Sequence, residues 1–148
     1  MQQTDPLPII CRYSNGNISS ISYVDSDNKS HRIGYPAEMV FYSDGNKESE
    51  RYMKHGFNHR DQNKPQYRSW DIYGNLTRVE YYVDGRKHRT NGPAIIRFYS
   101  LIGFYGSSEA PCERYFMENM EIEKHAFEKI FKKSFEKCKT CNCNYFEN

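Results

Sequence analysis

No stretch of this chain approaches the eighteen or so consecutive apolar residues of a membrane span, and no basic, apolar and small-residue leader opens it. These absences predict a soluble, intracellular protein without a transmembrane segment. An excess of one charge is also missing. With 21 basic and 19 acidic residues the formal net charge is +2, which excludes a global drive toward nucleic acid or anionic membrane and leaves any electrostatic partner to local patches. Aliphatic side chains are scarce, so a thick two-layer core lacks its apolar bulk. The five cysteines are an odd number, three of them crowded at the end, and argue against a disulfide framework. Catalytic signatures are missing too. There is no Gly-x-Ser-x-Gly elbow, no Gly-Lys-Ser or Gly-Lys-Thr phosphate loop and no His-Glu-x-x-His helix, and the sequence offers no nucleophile or base for an enzyme.

Aromatic side chains are abundant. They make up 16% of the 148 residues, with 13 Tyr and 9 Phe. Such enrichment is the opposite of the disordered signature. In a chain long enough for one domain it points to a thin core built from ring faces.

The rings follow a period. Gly16, Gly45, Gly74 and Gly103 each stand 29 residues after the last. Further columns keep that step: Tyr23, Tyr52 and Tyr81; Phe41, Trp70 and Tyr99; Asp27, Gly56 and Gly85. A His-Arg pair recurs at His31-Arg32, His59-Arg60 and His88-Arg89, followed by Pro36-Ala37, Pro65-Gln66 and Pro93-Ala94. Its one-residue slip falls in a loop, where length can change while strand pairing cannot. A fixed period of this size is the signature of a repeat architecture.

Within a unit, Asn15-Gly16, Asp44-Gly45 and Asp84-Gly85 mark tight turns, because Gly takes positive φ without a Cβ clash. Segments such as Glu38 to Tyr42 and Leu76 to Val83 read as strands, and the proline ahead of each first strand fits a strand start. The unit is therefore strand, turn, strand, then a loop carrying His-Arg and Pro. One hairpin is barely stable alone, so neighbouring hairpins must stack. The expected fold is mainly β: a single-layer antiparallel β-hairpin array of about eight strands, four units of two. Gly16, Gly45, Gly56, Gly74, Gly85 and Gly103 are its turn residues. Tyr23, Tyr52 and Tyr81, with Phe41, Trp70 and Tyr99, form ladders of rings as its core.

Residues 1–8 read as a flexible tail and 9–121 as the array. The last unit is lengthened by five residues around Phe104 to Cys112, and Asn119 replaces its turn glycine. Residues 122–137, with Ile122, Phe127, Ile130, Phe131, Ser134, Phe135 and the following Cys138 largely at spacings of three and four, predict an amphipathic helix that caps the exposed edge. Residues 138–148 are a Cys-rich tail.

The string from Tyr82 to Tyr99, containing Asp84-Gly85-Arg86-Lys87-His88-Arg89-Thr90-Asn91-Gly92-Pro93-Ala94, resembles the variant MORN repeat. The His-Arg-x-x-Gly-Pro-Ala form is similar to repeat proteins of large DNA viruses of amoebae, whose arrays often end in a short Phe-rich helix. The resemblance covers about residues 9 to 137. It implies a hairpin solenoid acting as an adaptor in protein association, in some cases near membranes, and a place in host cytoplasm or virion. Gly34-Tyr35-Pro36-Ala37 and Lys64-Pro65-Gln66 depart from the pattern, which weakens those loops as copies of one binding site.

Three candidate sites follow. The pairs His31-Arg32, His59-Arg60 and His88-Arg89 either form a basic comb for phosphates of a lipid headgroup or nucleic acid, or bond carbonyls and acids of the adjacent unit. Recurrence in every unit is what the second reading requires. The ring columns either stack single-stranded bases or fill the core, and a chain poor in aliphatics needs them inside. Cys138, Cys141 and Cys143 offer three thiolates to zinc, with a fourth ligand from His125, Cys112 or another chain, or else are free thiols. Glu48, Glu50 and Glu80 beside Lys47, Arg51 and Arg78 read as solvated cross-strand charge pairs. The leading functional expectation is a scaffold that holds another protein, with the helix and Cys-rich tail contributing to self-association. Nucleic acid or phospholipid is the alternative.

Overall fold

A computed structural model of the chain describes residues 6–60, 64–98 and 111–131. Tyr99, Gly103, the insertion after Gly103, residues 132–137 of the expected helix and the candidate zinc ligands Cys138, Cys141 and Cys143 lie outside the described residues.

Thirteen strands are described: β1 (Ile9–Arg12), β2 (Ile18–Ser22), β3 (Glu38–Phe41), β4 (Lys47–Arg51), β5 (Met53–Lys54), β6 (Phe57–Asn58), β7 (Tyr67–Trp70), β8 (Leu76–Glu80), β9 (Tyr82–Val83), β10 (Arg86–Lys87), β11 (Ile95–Arg97), β12 (Cys112–Met117) and β13 (Met120–Ile122). Nine of them form one open antiparallel sheet in the order β1-β2-β3-β4-β7-β8-β11-β12-β13. The other four make two short ribbons, β5 with β6 and β9 with β10.

The expectation of about eight strands missed these ribbons, because two chemically different turns alternate along the chain. At the first kind the glycine alone is left-handed, with φ of 87° at Gly16, 94° at Gly45 and 84° at Gly74. The residue before the turn accepts the glycine N–H, as in Tyr13 O from Gly16 at 3.0 Å and Tyr42 O from Gly45 at 2.9 Å. Each of these hairpins shifts register just before its turn, at Cys11/Arg12, Val40/Phe41 and Ser69/Trp70, which is the bulge such a glycine makes. The second kind has two consecutive left-handed residues, His55-Gly56 (49°, 82°) and Asp84-Gly85 (48°, 75°). That pair of angles matches the strand twist and closes a two-residue hairpin inside what reads as a loop. Glu118-Asn119 (50°, 71°) does the same between β12 and β13. Asp27 does not share this role. The first such turn is one residue longer, and its left-handed residue is Asn28 at φ 60°.

Because every junction keeps its register, residues line up in rows across the sheet. One row runs Ile10, Ile21, Met39, Glu50, Arg68, Val79, Ile96, Glu113, and the next runs Ile9, Ser22, Glu38, Arg51, Tyr67, Glu80, Ile95, Arg114. Burial is concentrated at one end of these rows. Val79, Tyr81 and Ile96 form one cluster, and Ala94, Ile95 and Phe116 another.

The ring ladder proposed as core is therefore corrected. Tyr52 and Tyr81 are buried, but Tyr23, Phe41 and Trp70 are only half-buried, and Lys47 Nζ and the Arg68 guanidinium lie 5.5 and 5.7 Å from the centre of the Trp70 ring. Tyr67 and Ile95 both pair with Glu80, so the third residue after each, Trp70 and Phe98, are counterparts. The segment from His59 to Gln66 is one residue longer than that from His88 to Ala94, and this sets the step to 28. Glu50 and Glu80 are buried rather than solvated. Glu50 accepts from Lys47 Nζ at 2.9 Å and Arg68 Nε at 2.7 Å, while Glu80 is held by Arg78 and the Tyr82 hydroxyl. Burial and this contact with Glu80 push the Tyr82 phenol well above its ordinary range.

Residues 124–131 form a helix, α1. It starts later than expected because Ile122 closes β13. Phe127 is fully buried, its ring 4.8 Å from those of Tyr115 and Phe131, whereas Ile130 is exposed. Among the described residues no helix is long and apolar enough to cross a membrane.

Candidate functional site

The second turns and the His-Arg pairs lie together beside the ends of β2, β4 and β8. Each pair is fixed in the same way. His31, His59 and His88 donate their backbone N–H to the carbonyls of Tyr23, Tyr52 and Tyr81, at 2.9, 3.1 and 3.3 Å. The arginine that follows turns back over that same tyrosine. The guanidinium carbon lies 3.9 Å from the ring centre for Arg32 on Tyr23, 3.8 Å for Arg60 on Tyr52 and 3.7 Å for Arg89 on Tyr81. The ring quadrupole attracts the cation there. Arg60 Nη1 also donates to Pro65 O at 3.1 Å, and Arg89 to Pro93 O at 3.3 Å and Asn91 Oδ1 at 2.9 Å. Burial draws the Arg60 guanidinium below its ordinary value without discharging it.

The histidines join one sequence unit to the next. His31 is buried and its Nδ1 accepts from the His55 amide at 3.2 Å; His88 Nδ1 accepts from the Glu118 amide at 3.3 Å. His55 and Glu118 are the first left-handed residues of their turns. An exposed comb of six side chains is thus not what forms. Ring stacking and carbonyl bonding engage the arginines, and His31 lies inside.

At the first of these junctions the chemistry differs. Asp25 Oδ2 lies 2.7 Å from His55 Nδ1, and the His31 and His55 rings lie with centres 4.2 Å apart and planes tilted by 31°. The hydrogen bond from His55, followed by that from the Lys29 amide, holds the Asp25 carboxyl below its ordinary range. One donor atom from each of Asp25, His31 and His55 lies within 4.8 Å of the others, a spacing a metal ion can span. Yet a neutral imidazole that accepts at Nδ1 carries its proton on Nε2, so His31 has no lone pair to give while that bond stands. The cluster reads as a hydrogen-bonded chain rather than a metal centre.

Three grooves lie along this side. One of about 480 Å³ is bounded by Lys54, His55, Phe57, His59 and Asp84. One of about 110 Å³ is bounded by Arg32, Ile33, Gly34, Tyr52, Lys54, His59 and Arg60. A third of about 300 Å³ lies among Pro6, Val24, Asp25, Ser26, Asp27, His31 and His55. Ile33, Tyr35, Phe57 and Val83 stand exposed on the same hairpins and loops.

The structure thus joins two sequence columns that read as separate, Tyr23/Tyr52/Tyr81 and the His-Arg pairs. Their near-constant offset of eight or nine residues from Tyr to Arg was the available signal. Asp25 and His55 are missed entirely by the repeat pattern, since neither recurs. Compared with protein-family models, with curated proteins and with solved structures, the chain finds no match.

Proposed function

We propose that this chain is a non-enzymatic binding scaffold, an array of variant MORN-type hairpin units that holds another protein along the side carrying the second turns. The observation behind this reading is the exposure of Ile33, Tyr35, Phe57 and Val83 on these hairpins and loops, with Phe57 and Ile33 lining two adjoining grooves. Apolar side chains gathered at a rimmed groove are the ordinary mark of a protein contact. The fastened Tyr-Arg stacks beneath supply rigidity, which lowers the entropic cost of binding. Capture of a partner from the protein's native setting tests it. The double variant Tyr35→Ala, Phe57→Ala, with an unchanged far-ultraviolet spectrum, loses a partner that docks here. Retention of that partner overturns the assignment.

A second reading rests on the smallest groove, whose lining includes Arg32, Lys54, His59 and Arg60 and no acid. It is a phosphate-sized anion site for a lipid headgroup or nucleic acid. Lys54 is the residue to change, because the arginines also hold the fold. Lys54→Glu abolishes binding to anionic vesicles or oligonucleotides on this reading. No binding by the unmodified chain, or binding that Lys54→Glu leaves intact, ends it.

A further inference from the structure

The nine-stranded sheet ends in two unlike ways. At one end the short β13 runs into α1, whose Phe127 packs on Tyr115, and Glu121 is held by Arg114 at 2.7 Å. At the other end β1 pairs with β2 alone among the described residues, and all four of its residues are exposed. Leu7, Ile9 and Ile10 are 88%, 48% and 45% exposed, and Cys11 is exposed beside them.

The same sequence elsewhere in the sheet shows what this edge is suited to. Ile9 and Ile10 stand in the same two rows as Ile95 and Ile96, and each pair opens the first strand of its hairpin. Ile95 and Ile96, with β8 on one side and β12 on the other, are 0% and 2% exposed. Ile95 and Ile96 are further covered by Tyr81 and Phe116, but Ile21 of the same row, with strands on both sides, is also less exposed than Ile10, so a neighbouring strand covers part of such a side chain. The outer edges of β3, β7 and β11 are taken by β2, β4 and β8. The outer edge of β1 continues that series.

Pro8 does not blunt it. Pro8 precedes β1 as Ala37, Gln66 and Ala94 precede β3, β7 and β11. The amides of those three point to the following strand, donating to Arg51, Glu80 and Arg114 at 2.9 Å each. Their carbonyls point the other way and accept from Tyr23, Tyr52 and Tyr81 at 2.8 Å each. A proline lacks only the N–H, so the corresponding carbonyl is kept on the open side.

We propose that β1 is a self-association edge, on which a second copy of this chain lays its own β1 antiparallel. A two-fold axis at Ile10 sets Ile10 against Ile10, Ile9 against Cys11 and Arg12 against Pro8. The facing pairs near the axis are apolar, and no like charges oppose each other. The second copy is favoured over head-to-tail growth because β13 is only three residues long, exposed and partly polar, and leads directly into the helix. Two like edges meeting give a closed dimer, whereas unlike edges give a filament. This inference stands apart from the partner-binding side, which lies elsewhere on the hairpins.

Sedimentation velocity on the full chain over a range of concentrations tests it, with hydrogen exchange on residues 9–12. A dimer is expected that dissociates on dilution, together with exchange of the β1 amides that slows as concentration rises. Ile10→Lys loses the dimer, while Ile72→Lys, at a turn far from β1, keeps it. A monomer at every concentration, a dimer that survives Ile10→Lys, or growth beyond the dimer overturns the proposal. Should Ile10→Lys fail to fold, the concentration dependence of exchange at β1 in the unmodified chain decides alone.

Discussion

Glu50 and Arg68 are direct cross-strand partners at the junction of β4 and β7, with Arg68 Nε 2.7 Å from Glu50 Oε1. Glu50 is 4% exposed and also takes Lys47 Nζ at 2.9 Å. The pair sits in the row that continues as Val79 and Ile96 in the next two strands. An ionic contact thus occupies a place that is apolar at the better-buried end of the sheet.

Removing one partner is expected to cost more than removing both. Glu50→Ala leaves two cations facing a buried gap, but both retain some solvent. The expected loss is therefore roughly 2 kcal/mol, short of the 3–5 kcal/mol or so of a fully buried pair. Glu50→Val with Arg68→Val extends the apolar row and destabilises less than the sum of the two single changes. A double-mutant cycle in urea unfolding reads the difference, and strict additivity contradicts a coupled pair.

The Tyr-Arg stacks call for a different cycle. Arg89 lies 3.7 Å from the centre of the buried Tyr81 ring, and its Nε and Nη1 bond Asn91 and Pro93. Lys cannot reproduce a flat cation with donors at its edge. Arg89→Lys is expected to lower stability despite keeping the charge, and the Arg89→Lys, Tyr81→Leu cycle to show a coupling of about 1 kcal/mol. Denaturant midpoints measure both, and zero coupling contradicts the stack.

These contacts mark the limit of what the sequence makes legible. The glycine period gives the hairpins and their order, because a positive φ demands the same residue type wherever it recurs. It does not distinguish a turn with one left-handed residue from a turn with two, since Asp44-Gly45 and Asp84-Gly85 spell alike. The ring columns were hard to place for a related reason. A constant step treats chain length as position, and one extra residue before β7 moves Phe98 into the place expected of Tyr99. Burial of Glu50 was out of reach altogether, because it depends on Arg68, which comes from the next hairpin.

Asp25 gives the acid side of stability its expected shape. Its carboxyl is held below the ordinary value of 3.8 chiefly by the hydrogen bond from His55. A folded value below the unfolded one contributes stability that is full above the unfolded value and is lost as pH falls through the folded one. The difference in melting temperature between the unmodified chain and Asp25→Asn should shrink as the pH falls through the acid range. A pH-independent difference contradicts the contact.

The turn glycines separate backbone strain from crowding. At Gly45, with φ 94°, an added Cβ meets nothing within 4 Å, so Gly45→Ala reports strain alone, roughly 1–2 kcal/mol. At Gly85, with φ 75°, the same atom comes 3.0 Å from Phe57 Cδ1. Phe57 is exposed and can swing aside, but doing so gives up its place beside the large groove. Gly85→Ala is therefore expected to cost more than Gly45→Ala, and adding Phe57→Ala to remove the excess. Gly45→Asn should cost less than Gly45→Ala, because Asn tolerates the left-handed region, as Asn119 does at φ 71°. Urea unfolding of the four variants gives the order. Equal costs at the two glycines would show that the Phe57 ring is not held against its neighbouring turn.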